Sequence, residues 1–291
     1  MKRTKRQLLG QHFLKNPRVL DKIAAAIAPG PEDLILEIGP GTGALTARLC
    51  GNAGRVVAVE KDPALVRRLT ELGLPGLTLV EGDALDLDWE PLLESAPSLW
   101  AIKIAGNLPY SISTPLLFKV LDLRARFVEG VFLIQKEVAE RLAARPGTKA
   151  YAPLSILFQL HFEVRLLFKV APGSFAPPPK VDSALISLRP RPAPLHALED
   201  EPGFRALLRI VFEQRRKTLF NGLLRYGTVA ETASQALETL ALPKTVRPEE
   251  LSIERWVRLF GLLKGSGRRP DRSDLEGLRR RTDRLRSPSG S

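Results

Sequence analysis

Asn107-Leu108-Pro109-Tyr110 is the stretch of this chain whose residue types, in that order, could hold an amine on a flat base. The amide oxygen of Asn107 and the backbone carbonyl of Leu108 would accept the two hydrogens of an exocyclic amine. Tyr110 would stack on the base face, as aromatic side chains do where unstacked bases are read. The same residues also suit an ordinary strand-to-helix turn closed by Pro109, so the reading depends on what accompanies them. Upstream, residues 34–43 form a short apolar run that breaks into Gly39, Gly41 and Gly43, followed by a helical pattern over 44–50. A buried parallel strand with a Gly-rich turn lets the next helix begin against a ligand with no side chain in the way. Gly39, Gly41 and Ala44 also fit a dinucleotide fingerprint, which leaves a nicotinamide cofactor open. Glu37 at the strand end and the Gly-x-Gly-x-Gly pattern favour S-adenosylmethionine, which has no pyrophosphate to cradle.

These residues need elements that bring them to one place. Residues 55–60 read as a second strand ending in Glu60, which lies 21 positions after Gly39. That distance fits one βαβ unit with a carboxylate accepting ribose hydroxyls. A third strand over 77–82 ends in Asp83-Ala84, where an Asp would suit the adenine amino group of the cofactor, although it is also ordinary turn chemistry. A fourth strand ends in the Asn107–Tyr110 turn. Strands and helices in this alternation predict a doubly wound α/β sheet, with ligands beyond the carboxyl ends of the strands, where all of these candidates fall.

With these segments in view, the chain resembles the KsgA-type ribosomal RNA adenine N6,N6-dimethyltransferases from about residue 8 to residue 263. The resemblance extends to residues 10–14, 134–138, 149–155, 175–183 and 212–221, which read GQHFL, IQKEV, KAYAPLS, FAPPPKVDS and FEQRRKTLFN. It implies a Rossmann-like class I methyltransferase domain with a small C-terminal helical domain, using S-adenosylmethionine to dimethylate two neighbouring adenines in the 3′ hairpin of small-subunit rRNA. Carried over residue by residue, it implies cofactor contacts at His12, Leu14, Gly39, Glu60, Asp83 and Asn107, to which the loop neighbours Gly41 and Ala84 are added. His12 stands where the family has Asn. Asn107, Leu108, Pro109 and Tyr110 are implied as the catalytic turn, with Phe175 facing the target base opposite Tyr110. The macrolide-resistance methyltransferases of large-subunit rRNA share several of these segments and form the close alternative. A non-catalytic nucleic-acid-binding factor on the same fold is the distant one, against which the intact glycines, Glu60 and catalytic turn argue.

Composition agrees with a nucleic-acid partner. The 291 residues carry 44 Lys and Arg against 32 Asp and Glu, a net charge of +12, which favours a polyanion and makes its binding salt-sensitive. The basic residues cluster at 2–6, at 215–217 and in an Arg-rich tail, and Lys2–Arg6 and Arg215–Lys217 are the candidate RNA contacts. One cysteine, Cys50, and three scattered histidines exclude a disulfide framework and show no metal-ligand spacing. No secretion signal or run of about 18 apolar residues is seen, so a cytoplasmic protein is expected. The resemblance implies action on an immature small ribosomal subunit, and a monomer is expected. Three segments are expected: a methyltransferase domain over 1–190, a helical domain over 200–263 and a basic, structureless tail over 264–291. Residues 184–188 read as the last strand of the sheet, a Pro-rich linker follows, and helical periodicity covers 204–225, 229–241 and 249–263.

Overall fold

The computed structural model describes residues 12–214 and 216–263. The basic cluster at 2–6, Arg215 and the tail from 264 therefore lie outside the described residues.

Two compact units are present: one runs up to Ala143 and resumes over Phe162–Arg191, and the other comprises Ala144–His161 and the chain from Pro192 onward. The first is built on a sheet of seven strands: β2 (Asp33–Ile38), β3 (Arg55–Glu60), β4 (Leu77–Glu81), β5 (Ala101–Asn107), β6 (Glu129–Gln135), β7 (Phe162–Val170) and β9 (Ser183–Pro190). Their order across the sheet is β4-β3-β2-β5-β6-β9-β7. The first five strands are parallel, and β9 runs antiparallel to both β6 and β7. Every residue of β2 is buried, as a central parallel strand covered on both faces requires. The order reverses between β2 and β5, and at such a switch point a crevice opens beyond the strand ends.

β9 contains the strand expected over 184–188, and it inserts between β6 and β7. The edge strand β7 was not among the strands read from the sequence, although Phe162, Val164, Leu166, Phe168 and Val170 alternate along it with Glu163, Arg165, Leu167 and Lys169, of which the last three are exposed. Its register against β9 shifts between Leu166 and Phe168.

Local signals fix the helices that flank the sheet. Asn16 caps α1 (Pro17–Ile27) by accepting from Val19 N–H, with Pro17 at the first helical position. Asp62 and Pro63 do the same for α3 (Pro63–Glu71), which turns the chain sharply just past Glu60. Between them lies α2 (Thr46–Cys50), followed later by α4 (Glu90–Glu94), α5 (Ser113–Asp122) and α6 (Lys136–Leu142). A two-stranded ribbon joins β1 (Phe13–Leu14) to β8 (Phe175–Ala176).

In the second unit α7 (Pro153–His161) packs against α8 (Glu201–Phe212), which packs in turn with α9 (Leu219–Tyr226) and α11 (Ile253–Leu263), while α10 (Ala230–Thr239) packs with α9 and α11. Leu195 N–H donates to the Leu160 carbonyl at 2.7 Å and Gly147 N–H to the Glu249 carbonyl at 2.7 Å, tying 144–161 to the later helices. This excursion is not contained in a linear division at residue 190. The helix expected over 204–225 is two helices, because Thr218 leaves the helical conformation and its hydroxyl caps α9 through Asn221 N–H.

Candidate active site

A cavity of about 230 Å³ opens at the carboxyl ends of the parallel strands. It is lined by His12, Leu14, Gly39, Gly41, Glu60, Asp83, Ala84 and the whole Asn107–Tyr110 turn. Phe175 is absent from that lining. It is 1% exposed and packs in the apolar cluster with Leu14, Leu20 and Ile23. This corrects the expected position opposite Tyr110: pairing of Phe175 with Leu14 across the β1–β8 ribbon places the ring in the core.

The glycine loop makes room by conformation. Gly39 has φ +69° and Gly41 φ +59°, a region that side chains with a Cβ rarely adopt. A Cβ on Gly41 would also meet the Phe13 ring at 3.0 Å, so the β1 segment lies directly against the loop. Phe13 is a wall residue that sequence reasoning passed over, although it sits between two residues that were singled out.

Glu60 is 4% exposed. Its Oε2 accepts from Gly41 N–H at 3.1 Å and its Oε1 from Asp62 N–H at 2.9 Å. Each oxygen keeps further lone-pair capacity, and the carboxylate is held rigidly at the end of β3, which suits a pair of ribose hydroxyls. Asp83 is also engaged, with Oδ1 accepting from Leu85 N–H at 2.9 Å and Oδ2 paired with Lys61 Nζ at 2.7 Å. The loop beyond it is clamped by Lys119 of α5, whose ammonium donates to the carbonyls of Ala84 at 2.9 Å, Leu85 at 3.3 Å and Leu87. That ammonium lies 4.8 Å from the Trp89 ring centroid. Nothing in the spacing of the sequence marks Lys119, because its partners are carbonyls more than 30 residues away.

At the other end, Asn107 Nδ2 donates to the His12 carbonyl at 2.9 Å. This bond assigns the amide orientation and leaves Oδ1 as the half available to a ligand. Leu108 N–H donates to the Leu133 carbonyl at 3.0 Å, which ties the Asn107–Leu108 peptide plane to β6. The Leu108 carbonyl lies in the next plane, with the ring nitrogen of Pro109. The Tyr110 hydroxyl is 2.5 Å from Ser183 Oγ, which sets the direction of the ring. Burial raises the Tyr110 pKa and the Asp182 carboxylate adds to that, while the Ser183 contact acts the other way. His12 uses Nδ1 on the Pro177 carbonyl at 2.8 Å, and its ring centroid lies 5.6 Å from that of Tyr110. Because a carbonyl only accepts, Nδ1 carries the proton and Nε2 is the remaining ring nitrogen.

A cleft with a rigid buried carboxylate, a side-chain-free loop and an apolar wall fits an adenosyl group. Among the described residues no cluster of His, Cys, Asp or Glu could hold a metal ion.

The comparisons with known proteins agree with this geometry. The family described as ribosomal RNA adenine dimethylase matches residues 2–264. A protein of Geobacter sulfurreducens named ribosomal RNA small subunit methyltransferase A is 45% identical over 268 residues, covering 90% of this chain and 96% of the relative. Its namesake in Xanthomonas campestris is 40% identical over 253 residues, covering 86% and 93%. Among solved structures, a dimethyladenosine transferase from Plasmodium falciparum superposes with a TM-score of 0.73 at 31% identity, over 87% of this chain and 98% of that one. The 23S rRNA methyltransferase ErmE follows with 0.66 at 27% identity, over 86% and 99%. The switch-point cleft, the glycine loop and the Asn107–Tyr110 turn thus stand in a chain that belongs to the ribosomal RNA adenine dimethylase family.

Proposed function

We propose that the protein transfers methyl groups from S-adenosylmethionine to the N6 amines of two adjacent adenosines in the 3′-terminal hairpin of small-subunit rRNA. The observation that carries this reading is the Asn107 amide, fixed by its bond to the His12 carbonyl in a turn whose Leu108 and Tyr110 line the same cavity. The cofactor supplies an electrophilic methyl group on a sulfonium, a good leaving group. An adenine amine is a weak nucleophile because its lone pair is delocalised into the ring. Accepting both hydrogens at Asn107 Oδ1 and the Leu108 carbonyl favours a pyramidal nitrogen with its lone pair directed at the methyl. The same acceptors share the positive charge that develops on nitrogen, and the Asn107 amide needs no reorganisation because it is already tethered to the His12 carbonyl. Tyr110, anchored through Ser183, offers its ring to the base face. Glu60, Asp83, Ala84, Gly39, Gly41, Leu14 and His12 form the cofactor end.

Positioning dominates this chemistry. The transfer needs no protein nucleophile, and water suffices to take the proton of the alkylated amine. For the second transfer only one amine hydrogen remains, so one acceptor loses its partner and the pocket must tolerate the first methyl.

The small-subunit substrate is favoured by the relatives at 45% and 40% identity, whose names specify it. The likeness to ErmE, at 27%, supports the large-subunit alternative less strongly. We place the protein in the cytoplasm, as a monomer on an immature small subunit. No described helix is long and apolar enough to cross a membrane, and the net charge of +12 suits an RNA surface. Tritiated S-adenosylmethionine offered with unmethylated small and large subunits tests the reading. Two dimethyladenosines mapped to the small-subunit 3′ hairpin are expected, and label confined to large-subunit RNA would overturn the substrate assignment.

A further inference from the structure

Glu37 is a cavity-lining carboxyl for which the methyl-transfer reading provides no role. It lies near the end of β2, is 1% exposed, and its Oε2 has no hydrogen-bond partner among the described residues. Unpartnered buried carboxyl oxygens are uncommon and call for an explanation. Among the described residues, the groups that face it supply no cation. From β3 comes the second carboxylate, Glu60. From α2 come the Thr46 hydroxyl, itself without a well-formed partner, and the Cys50 thiol, which burial and then Glu37 push up to about 11. From β5 the register neighbour is Ala105. Lys61 also lines the cavity, but its ammonium is paired with Asp83 at 2.7 Å. Burial accordingly raises the Glu37 carboxyl to about 7; the Thr46 hydroxyl opposes this and the Glu60 carboxylate adds to it.

Burial beside a second carboxylate, with no cation facing it among the described residues, pushes this carboxyl toward its neutral form, and the cavity it lines is the one proposed to take a cationic cofactor. We infer that Glu37 is protonated in the free protein and gives up its proton to solvent when the sulfonium form of the cofactor enters. The product, S-adenosylhomocysteine, is a neutral thioether at sulfur and leaves the proton in place. The step is a proton dissociation, one carboxyl going to one carboxylate and one proton passing to the buffer, with no other bond changed. Its consequence is discrimination: the site holds the methyl donor more tightly than the spent product, and methyl transfer itself, by removing the positive charge, returns a proton to Glu37 and loosens the product. This inference rests on the cofactor assignment above.

The test is calorimetric titration of the wild-type protein at pH 6.0 with each nucleoside, in two buffers of different ionisation enthalpy. The dependence of the observed heat on that enthalpy counts protons. Roughly one proton released per S-adenosylmethionine is expected and close to none with S-adenosylhomocysteine. Affinity for the sulfonium form should rise about tenfold between pH 5 and pH 6.5. Glu37→Gln, which keeps shape and cannot ionise, should abolish both the release and the pH dependence while leaving S-adenosylhomocysteine affinity within about twofold. The variant keeps His12, so a contribution from that imidazole would survive it. Binding of S-adenosylmethionine with no proton released, or equal release with both nucleosides, would overturn the inference and leave the cofactor assignment standing. No binding at all by the wild-type protein would overturn both.

Discussion

The bond from Asn107 Nδ2 to the His12 carbonyl decides which end of the amide meets a substrate. Asn107→Ala removes one amine acceptor, and kcat should fall about 10²-fold or more, the scale seen when one preorganised charge-stabilising group is lost. Single-turnover rates measure this, and an unchanged rate would remove Asn107 from the mechanism. Glu37 makes a stability prediction of its own. Its carboxyl titrates at 4.5 in an ordinary setting and at about 7 in the folded protein. The unfolded chain therefore loses its proton first as pH rises, and native stability falls between those two values, by about 3 kcal/mol at most. Below 4.5 the group contributes no pH dependence. At pH 8 and without cofactor, Glu37→Gln should melt at a higher temperature than the wild-type protein, and the two should converge at pH 4.5.

At the scale of elements, the site depends on contacts made far from the reacting atoms. Lys119 of α5 reaches back to the loop after β4, whose Ala84 carbonyl also accepts from Trp89 Nε1 at 2.9 Å. One helix thus follows the Asn107–Tyr110 turn and clamps the loop at the cofactor end. Lys119→Met keeps the apolar stem over Trp89 and removes the ammonium. Losing charge-assisted bonds to carbonyls should raise the cofactor Kd about tenfold. Because the amine acceptors are untouched, kcat at saturating cofactor should stay within about threefold. A calorimetric Kd beside steady-state kcat separates the two, and a loss confined to kcat would refute the clamp. The β1–β8 ribbon works similarly: Phe13 closes against Gly41 while Leu14 and Phe175 pack inward.

At the scale of the whole molecule, the charge surplus governs the encounter with RNA. Residues 265–291 hold eight Arg against four acids, so they supply +4 of the net +12. Ending the chain at residue 264 should flatten the dependence of log affinity for rRNA on log salt by roughly one to three units. Cofactor affinity should not change, and filter binding across a salt series checks both. The fold class, the βαβ order and the motifs that line the cavity were legible in the sequence, because apolar runs, glycines and strand-end acids obey local periodicity and spacing. Glu60 and Asn107 could be singled out for the same reason: each ends a strand, and strand ends in this topology converge on one crevice. Other features depended on partners remote in the chain. Phe175 reads as a base-facing aromatic until its pairing with Leu14 buries it. The internal position of β9, the grouping of 144–161 with the later helices and the Lys119 clamp arise from contacts that leave no period or spacing. The Asn107 orientation required the backbone of His12, 95 residues away, and the unpartnered state of Glu37 required knowing everything that packs around it. Local chemistry named the groups that could act, while only packing determined which way each of them faces and what each of them lacks.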